Sequence, residues 1–245
     1  MATYTINFTA PFGNYRKLFR KLSQQGQNPH TLFITCSDSR VLAELITQSK
    51  PGDLFVVKNV GNIVPPASAK GDTNSTAAAI EFAVENLRVS DLVICGHSQC
   101  GAISALLGQS PLGESTPHLR NWLSLAAPVL ETLKKEYAHL DHHTARANAA
   151  AEENVLFGLD NLHGYPCVQE RLADGTLRLH GWFFEIATRN CSPMIRRRAS
   201  FYRSSAKVDS FAWTTRSPFV SFAPHNEAGM RFCFYISGPG KIESD

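Results

Sequence analysis

The sequence lacks any apolar run of the length that a membrane-spanning helix needs, about 18–20 residues. Its first residues, Met1-Ala-Thr-Tyr-Thr-Ile-Asn-Phe8, have neither the basic start nor the long apolar stretch of a secretory signal peptide. It also has no Cys-x-x-Cys pair, which argues against a thiol redox enzyme. We therefore expect a cytoplasmic protein whose six cysteines are thiols or metal ligands rather than a disulfide framework.

The composition is that of a folded domain, because 43% of the 245 residues are hydrophobic and 18% are charged. The formal charge of +3 is unevenly spread. Residues 189–245 hold nine Lys or Arg and four acids, a net charge of +5, which leaves −2 for residues 1–188. The basic character belongs to this last segment, so it says nothing about partners of the main domain. We expect neither a nucleic-acid nor a membrane partner.

A short apolar run, Thr31-Leu-Phe-Ile-Thr35, is followed at once by three chemically active side chains. They are the thiol of Cys36, the carboxylate of Asp38 and the guanidinium of Arg40. The apolar run predicts a buried strand, and the polar residues after it predict a loop or a helix cap.

A second apolar run, Asp91-Leu-Val-Ile-Cys95, has the same design and is followed by His97 and Cys100. Strands of this kind alternate along the chain with helical patterns, which predicts an α/β fold with a mainly parallel sheet flanked by helices. In such sheets the functional crevice lies at the carboxyl ends of the strands. Both sets of reactive side chains are predicted to lie there, so the two runs are expected to be neighbours.

Two thiolates and one imidazole suit Zn²⁺, and three protein ligands with one open position are typical of a catalytic zinc site. Cys36, His97 and Cys100 are the candidate ligands. The alternative is that the cysteines are small buried residues and the histidine is hydrogen-bonded in the core. Asp38, kept ionised by Arg40, could accept a hydrogen bond from a water on the metal. For this pair the alternative is a surface salt bridge or a helix cap.

The coarse secondary structure is also predicted from pattern. A helix is expected over residues 74–87, and two longer ones over 118–139 and 144–163. Tyr165–Leu172 and Leu177–Ile186 have the composition of strands, with Asp174-Gly175 between them as a hairpin turn.

Taken together, these residues resemble the β-class carbonic anhydrases. The resemblance runs from about residue 14 to Thr188. Within the family, the sequence is most similar to the bacterial branch that includes carboxysomal enzymes of cyanobacteria. It is carried by five segments: Cys36-Ser-Asp-Ser-Arg-Val41, Gly52-Asp-Leu-Phe-Val-Val-Lys-Asn-Val-Gly-Asn62, Ala79-Ile-Glu-Phe-Ala83, Cys95-Gly-His-Ser-Gln-Cys-Gly-Ala102 and His180-Gly-Trp182.

The resemblance implies zinc-dependent, reversible hydration of carbon dioxide to bicarbonate and a proton. It implies an obligate homodimer, often a dimer of dimers, with the N-terminal helix packing on the dimer partner. One zinc ion per subunit would be held by the two cysteines and the histidine, beside the Asp38–Arg40 pair. The substrate-binding residues implied by the family are Gln27, reaching across the dimer interface, the backbone N–H of Gly101, and Phe55 and Val60 lining an apolar pocket.

Two positions depart from part of the family. Some members move the aspartate onto zinc and are inhibited by bicarbonate bound at a separate site that uses a Trp and an Arg. Those positions are Phe33 and Lys58 here. We therefore expect an open site, with water rather than Asp38 on the metal, and no such bicarbonate switch.

The segment after Thr188 does not resemble the family. We divide the chain into a carbonic anhydrase domain, residues 1–188, and an atypical basic tail, residues 189–245, with no helical or strand period. Our hypothesis is that a reading-frame change near codon 189 produced a poorly ordered tail, which the gene sequence can test. The alternative is a functional basic segment that binds nucleic acid or assists assembly.

Two other functions are compatible with the same residues. A low-activity carboxysome-type assembly or scaffold protein would keep the zinc fold, although the intact set of Cys36, Asp38, Arg40, His97 and Cys100 speaks against it. A related hydrolase of carbonyl sulfide or carbon disulfide would share every ligand and differ only in access to the pocket.

Overall fold

The computed structural model of the chain describes residues 15–68, 71, 73–110, 112–113 and 115–194. The elements are α1 (Arg16–Gln25), β1 (Thr31–Cys36), α2 (Ala43–Thr47), β2 (Leu54–Asn59), α3 (Ser75–Glu81), β3 (Asp91–His97), α4 (Gly101–Leu106), α5 (Pro117–Ser124), α6 (Pro128–Glu136), α7 (His143–Leu162), α8 (Pro166–Ala173), β4 (Arg178–Glu185) and β5 (Asn190–Met194).

The strands form one sheet in the order β2-β1-β3-β4-β5. The first four are parallel, and β5 pairs antiparallel with β4. Every residue of β1 and β3 is buried, as expected for central parallel strands that are covered on both faces. The predicted α/β fold with a mainly parallel sheet flanked by helices is confirmed.

Helix α7 brings the helical layer close to the sheet. A Cβ atom on Gly96 of β3 would lie 2.7 Å from Val155 Cγ2 and 3.2 Å from the carbonyl oxygen of Ala151. Both of these neighbours belong to α7, so the helix crosses the carboxyl end of β3 at a distance that only glycine allows. Side chains of α7 therefore reach the loops that follow β2 and β3.

The prediction of a strand over residues 165–172 is wrong, because this segment forms α8. Pro166 occupies the first turn of the helix, where its fixed φ and missing N–H are tolerated. Tyr165, Val168 and Leu172 are spaced by three and four residues, and all three pack in the main core. Asp174-Gly175 therefore ends a helix instead of forming a hairpin turn, and the following strand β4 is parallel to β3.

The predicted helix over 118–139 is two helices, because Pro128 begins a new one at α6. The helix over 74–87 begins as predicted, with the Asn74 side chain capping the N–H groups of Thr76 and Ala77. It then widens into a π-helical turn over Phe82–Asn86.

The basic tail was predicted to have no regular structure, yet its first residues form β5. Residues 186–189 make a turn in which Arg189 has a φ of 59°, and Asn190–Met194 returns along β4. Pro193 is accommodated because β5 is an edge strand. Residues 195–245, for which poor order was predicted, lie outside the described residues.

Helix α1 was predicted to pack on a dimer partner. None of its residues is buried within the chain, and the Phe19 side chain is 41% exposed. In the part of the chain that the structure describes, no helix has the length and apolar character required to cross a membrane.

A buried carboxylate ties the amino ends of β3 and β4 together. Both oxygens of Asp91 accept hydrogen bonds from Arg178, at 2.8 and 2.7 Å, and Oδ1 also lies 2.9 Å from His180 Nε2. Burial alone would raise the pKa of Asp91, but the bonds from His180, Arg178 and Ser90 outweigh it and hold that pKa well below its usual range. The ionised form is therefore the one that stabilises the fold.

We expect Asp91→Asn to lower the free energy of unfolding at pH 7 by about 2 kcal/mol, because hydrogen bonds to a charged group are lost. The pKa of Asp91 is lower in the folded chain than in the unfolded chain, where it is about 4. Its contribution to stability is therefore complete above pH 4 and is lost as the pH falls towards the pKa of the folded chain. The difference between wild type and variant should thus shrink in urea titrations below pH 4. Asp141→Asn, in an exposed loop, is the control. An equal difference at pH 7 and pH 3 would contradict this account.

Candidate metal centre

Three ligand atoms converge where β1 and β3 end. Cys36 closes β1, His97 closes β3, and Cys100 caps the start of α4. The two strands are direct neighbours in parallel register, so their carboxyl ends meet at one edge of the sheet. The ligand atoms all lie within 4.8 Å of one another, and the three residues are 5%, 0% and 2% exposed.

The histidine is oriented to offer one nitrogen to this cluster. His97 Nδ1 lies 2.9 Å from the carbonyl oxygen of Ser98, an acceptor, so Nδ1 carries the proton. The lone pair is then on Nε2, which is buried and has no hydrogen-bond partner in the described structure. A buried nitrogen without a partner is unfavourable, and a metal ion at this position would satisfy it.

The two thiols also fit a cation. Their Sγ atoms lie 3.9 Å apart in a buried setting. The hydrogen bond from Cys100 is the largest influence on Cys36 and lowers the pKa of that thiol, while the same bond raises the pKa of Cys100. The contact thus favours ionisation of one sulfur at the expense of the other, and a divalent cation between them would allow both to ionise. Two thiolates and an imidazole are a donor set that Zn²⁺ prefers.

The Asp38–Arg40 pair lies beside the cluster. Arg40 Nε donates to Asp38 Oδ1 at 2.9 Å and Nη2 donates to Oδ2 at 2.7 Å, so the contact is bidentate. This guanidinium holds the pKa of the Asp38 carboxyl well below its usual range. Asp38 Oδ2 is also 4.0 Å from His97 Nε2. An ionised carboxylate therefore faces the position where the three ligand atoms meet.

Two further contacts, which the sequence did not predict, hold the pair in place. Arg40 Nη2 also donates to the carbonyl oxygen of Gln99, in the loop between His97 and Cys100. Lys58 Nζ donates to the carbonyl oxygens of Asp38 at 3.3 Å and Val41 at 2.7 Å. Lys58 stood out in the sequence as a charged residue within the apolar strand β2 and as the position where part of the family has an Arg, but neither signal predicts its contacts with carbonyl groups.

The predicted substrate-binding residues are not all brought together within one chain. Gly101 begins α4 directly after Cys100, and a Cβ atom there would meet open space. Val60 lies next to Gly61, whose N–H contacts Cys36, and is 41% exposed. Both are adjacent to the cluster.

Phe55 and Gln27 lie elsewhere in the chain. Phe55 pairs with Leu32, four residues before Cys36, which is about 13 Å along the strand. Its ring packs on Phe82, with ring centroids 5.8 Å apart. Gln27 is exposed in the loop after α1. The contact of Gln27 with substrate across a dimer interface stays a prediction, and so does the place of Phe55 in the apolar pocket.

Comparison with known proteins identifies the family. The carbonic anhydrase family profile matches residues 31–191. A carbonic anhydrase of Synechocystis sp. is 43% identical over 230 residues, which is 94% of this chain and 81% of that protein. This second alignment extends past residue 191, where the match to the family profile ends.

Solved structures agree with the sequence comparison. The β-carbonic anhydrase CcaA is similar, with a TM-score of 0.70 and 41% identity, over 75% of this chain and 87% of that one. A tetrameric β-carbonic anhydrase of Sordaria macrospora has a TM-score of 0.66 and 33% identity, over 75% of this chain and 89% of its own. With its buried Cys-His-Cys cluster beside an ionised carboxylate, the chain therefore belongs to the β-class carbonic anhydrases, a family of zinc enzymes.

Proposed function

We propose that this chain catalyses the reversible hydration of carbon dioxide to bicarbonate and a proton at a zinc site formed by Cys36, His97 and Cys100. The observation that carries the proposal is the convergence of these three buried ligand atoms beside the ionised carboxylate of Asp38. When bound, Zn²⁺ supplies a Lewis acid that lowers the pKa of a coordinated water from 15.7 to roughly 7.

The roles of the surrounding residues follow from their contacts. Asp38 accepts a hydrogen bond from the attacking water and so fixes which lone pair points towards carbon dioxide. Arg40 occupies both carboxylate oxygens from one side and keeps Asp38 ionised, so Asp38 does not take the proton that the water loses. That proton leaves to buffer. Gly101 and Val60 border the space next to the ligands, and Gln27 reaches a substrate oxygen from a second subunit.

We infer that the site is open, with Asp38 beside the metal rather than bound to it. The bidentate contact with Arg40 engages both oxygens of the carboxylate, and leaving it would cost two charge-assisted hydrogen bonds. Lys58 supports this state, because it binds backbone carbonyls on both sides of Arg40 and thereby holds the turn. Phe33, at the position where part of the family has the Trp of a separate bicarbonate site, is fully buried in β1 and lies edge-on to Trp182.

We further propose that the enzyme is a homodimer or a dimer of dimers. Helix α1 has no residue buried by its own chain, and the similar Sordaria macrospora enzyme is tetrameric. Cytoplasmic location stays a prediction from the composition of the first residues, and association with a carboxysome stays one from the sequence resemblance.

The purified full-length chain tests these proposals. We expect about one zinc ion per chain, as required by a single Cys₂His site, and carbon dioxide hydration in stopped flow well above the buffer rate. Zinc without hydration would favour the scaffold alternative, and hydrolysis of carbonyl sulfide or carbon disulfide in preference to hydration would favour the related hydrolase. Zinc content near zero would overturn the metal site. Native mass spectrometry of the same preparation should give dimers or their multiples, and a monomer would contradict the oligomer.

A further inference from the structure

Helix α7 contacts the loop between β2 and α3 through two asparagines. Asn154 Nδ2 donates to the carbonyl oxygen of Gly61 at 2.9 Å, and Asn161 Nδ2 donates to that of Val64 at 2.8 Å. The two side chains are seven residues apart, two helical turns, so they lie on the same face of α7. They make the same kind of bond to the same loop.

Only one of these bonds leads to the zinc site. The N–H of Gly61, the residue whose carbonyl Asn154 binds, points at Cys36 and lies 3.4 Å from its Sγ. Gly61 has a φ of 83°, a conformation that favours glycine, and a Cβ atom there would lie 3.2 Å from Ala102 Cβ. Gly61 is therefore confined from both sides. Its N–H belongs to the same peptide as the Val60 carbonyl, which accepts a hydrogen bond from Trp122 Nε1 at 2.6 Å, and its own carbonyl, in the next peptide, is held by Asn154.

Asn154 is suited to hold it. It is 2% exposed, so its amide is shielded from water that could compete for the Gly61 carbonyl. The loop is also closed from inside by Asn59, whose side chain accepts from the N–H of Ile63 and donates to its carbonyl. Asn59 thus joins the two ends of the segment 59–63, whereas Asn154 binds Gly61, the middle residue of that segment, to helix α7.

We propose that Asn154 is a positioning residue for the zinc site, acting through Gly61 on the sulfur of Cys36. An N–H directed at a thiolate neutralises part of its charge and fixes the direction of its lone pairs, and both effects determine how the sulfur binds a metal. Loss of the Asn154 amide frees the Gly61 carbonyl, lets the loop reorient and weakens the N–H contact to sulfur. This inference rests on the proposed zinc site.

The test compares Asn154→Ala with Asn161→Ala, a matched control that removes an equivalent bond to the same loop. We expect zinc transfer to a competing chelator to be at least about tenfold faster in N154A, the range seen when groups that orient metal ligands are removed. In N161A it should stay within about twofold of wild type. In cobalt-substituted protein, the sulfur-to-cobalt charge-transfer band should shift in N154A and remain in place in N161A.

Thermal unfolding separates this role from general stability, because both variants lose one hydrogen bond to the loop and both melting temperatures should fall, whereas only N154A should lose zinc faster. Equal rates of zinc loss in the two variants, or an unshifted cobalt band in N154A, would overturn the proposal while the wild-type zinc site stands. If N154A does not fold, Asn154→Leu, which retains the volume but lacks the donor, replaces it with the same expected results. A wild-type chain without zinc would overturn both the proposed function and this inference.

Discussion

Cys36→Ala is expected to lose carbon dioxide hydration by at least about a thousandfold. The two ligands that remain come from a single segment, His97 to Cys100, so the ion is no longer held between β1 and β3. Without a bound cation, the pKa of water returns from roughly 7 towards 15.7, and little nucleophile is present at neutral pH. Stopped-flow hydration and the zinc content of the same sample measure the two losses together.

The matched control is Cys95→Ala. Cys95 is a fully buried cysteine in β3, two residues before His97, and it packs in a separate core cluster with Phe33 and Val93. Its removal should leave a small cavity and lower stability by about 1 kcal/mol, with hydration and zinc content retained. Hydration that survives in C36A, or that is lost equally in C95A, would show that the three-ligand assignment is wrong.

The metal cluster was predictable because its determinants are local in sequence. Two apolar runs end in ligand-type residues, and parallel strands that neighbour one another present their carboxyl ends at the same edge. The Asp38-x-Arg40 spacing likewise places a carboxylate and a guanidinium on one turn, where they form a bidentate contact. These inferences needed only strand direction and residue chemistry.

The residues that the sequence did not predict act through backbone carbonyls of distant segments. Asn154 binds Gly61 across 93 positions, and Lys58 binds the Asp38 turn across 20. A buried asparagine on a helix and a lysine in a strand have no spacing that predicts such partners. They follow only from the tertiary structure, which brings α7 to the loop after β2 and brings β2 to the Asp38 turn.

Periodicity failed where a segment is short and apolar on one side. Tyr165–Leu172 has β-type residues, but the spacing of Tyr165, Val168 and Leu172 is helical, and Pro166 favours a helix start. Arg171 of this helix donates to the buried carbonyls of Val84 and Val89, which ties α8 to the end of the π-helical turn. Tertiary contacts of this kind decide between two local structures of similar propensity.

Asp38→Asn is the second change with a large expected effect. The amide keeps the shape of the carboxylate but carries no charge, so it orients the attacking water poorly and leaves Arg40 without its anionic partner. We expect kcat to fall about a hundredfold, the scale seen when one preorganised hydrogen-bond partner of the reacting group is removed. Zinc content should not change, because Asp38 is not one of the three ligands.

The same variant decides whether the site is open. If Asp38 occupied a metal position at neutral pH, the weaker amide ligand would release that position, and D38N would be more active than wild type. In the open site Asp38 contacts only the attacking water and Arg40, so replacing it with Asn can only reduce activity. Asp53→Asn is the control: Asp53 accepts a hydrogen bond from the Lys50 N–H in the turn before β2, far from the ligands, and hydration should stay within about twofold. Hydration in D38N equal to wild type would reduce the Asp38–Arg40 contact to an ordinary salt bridge.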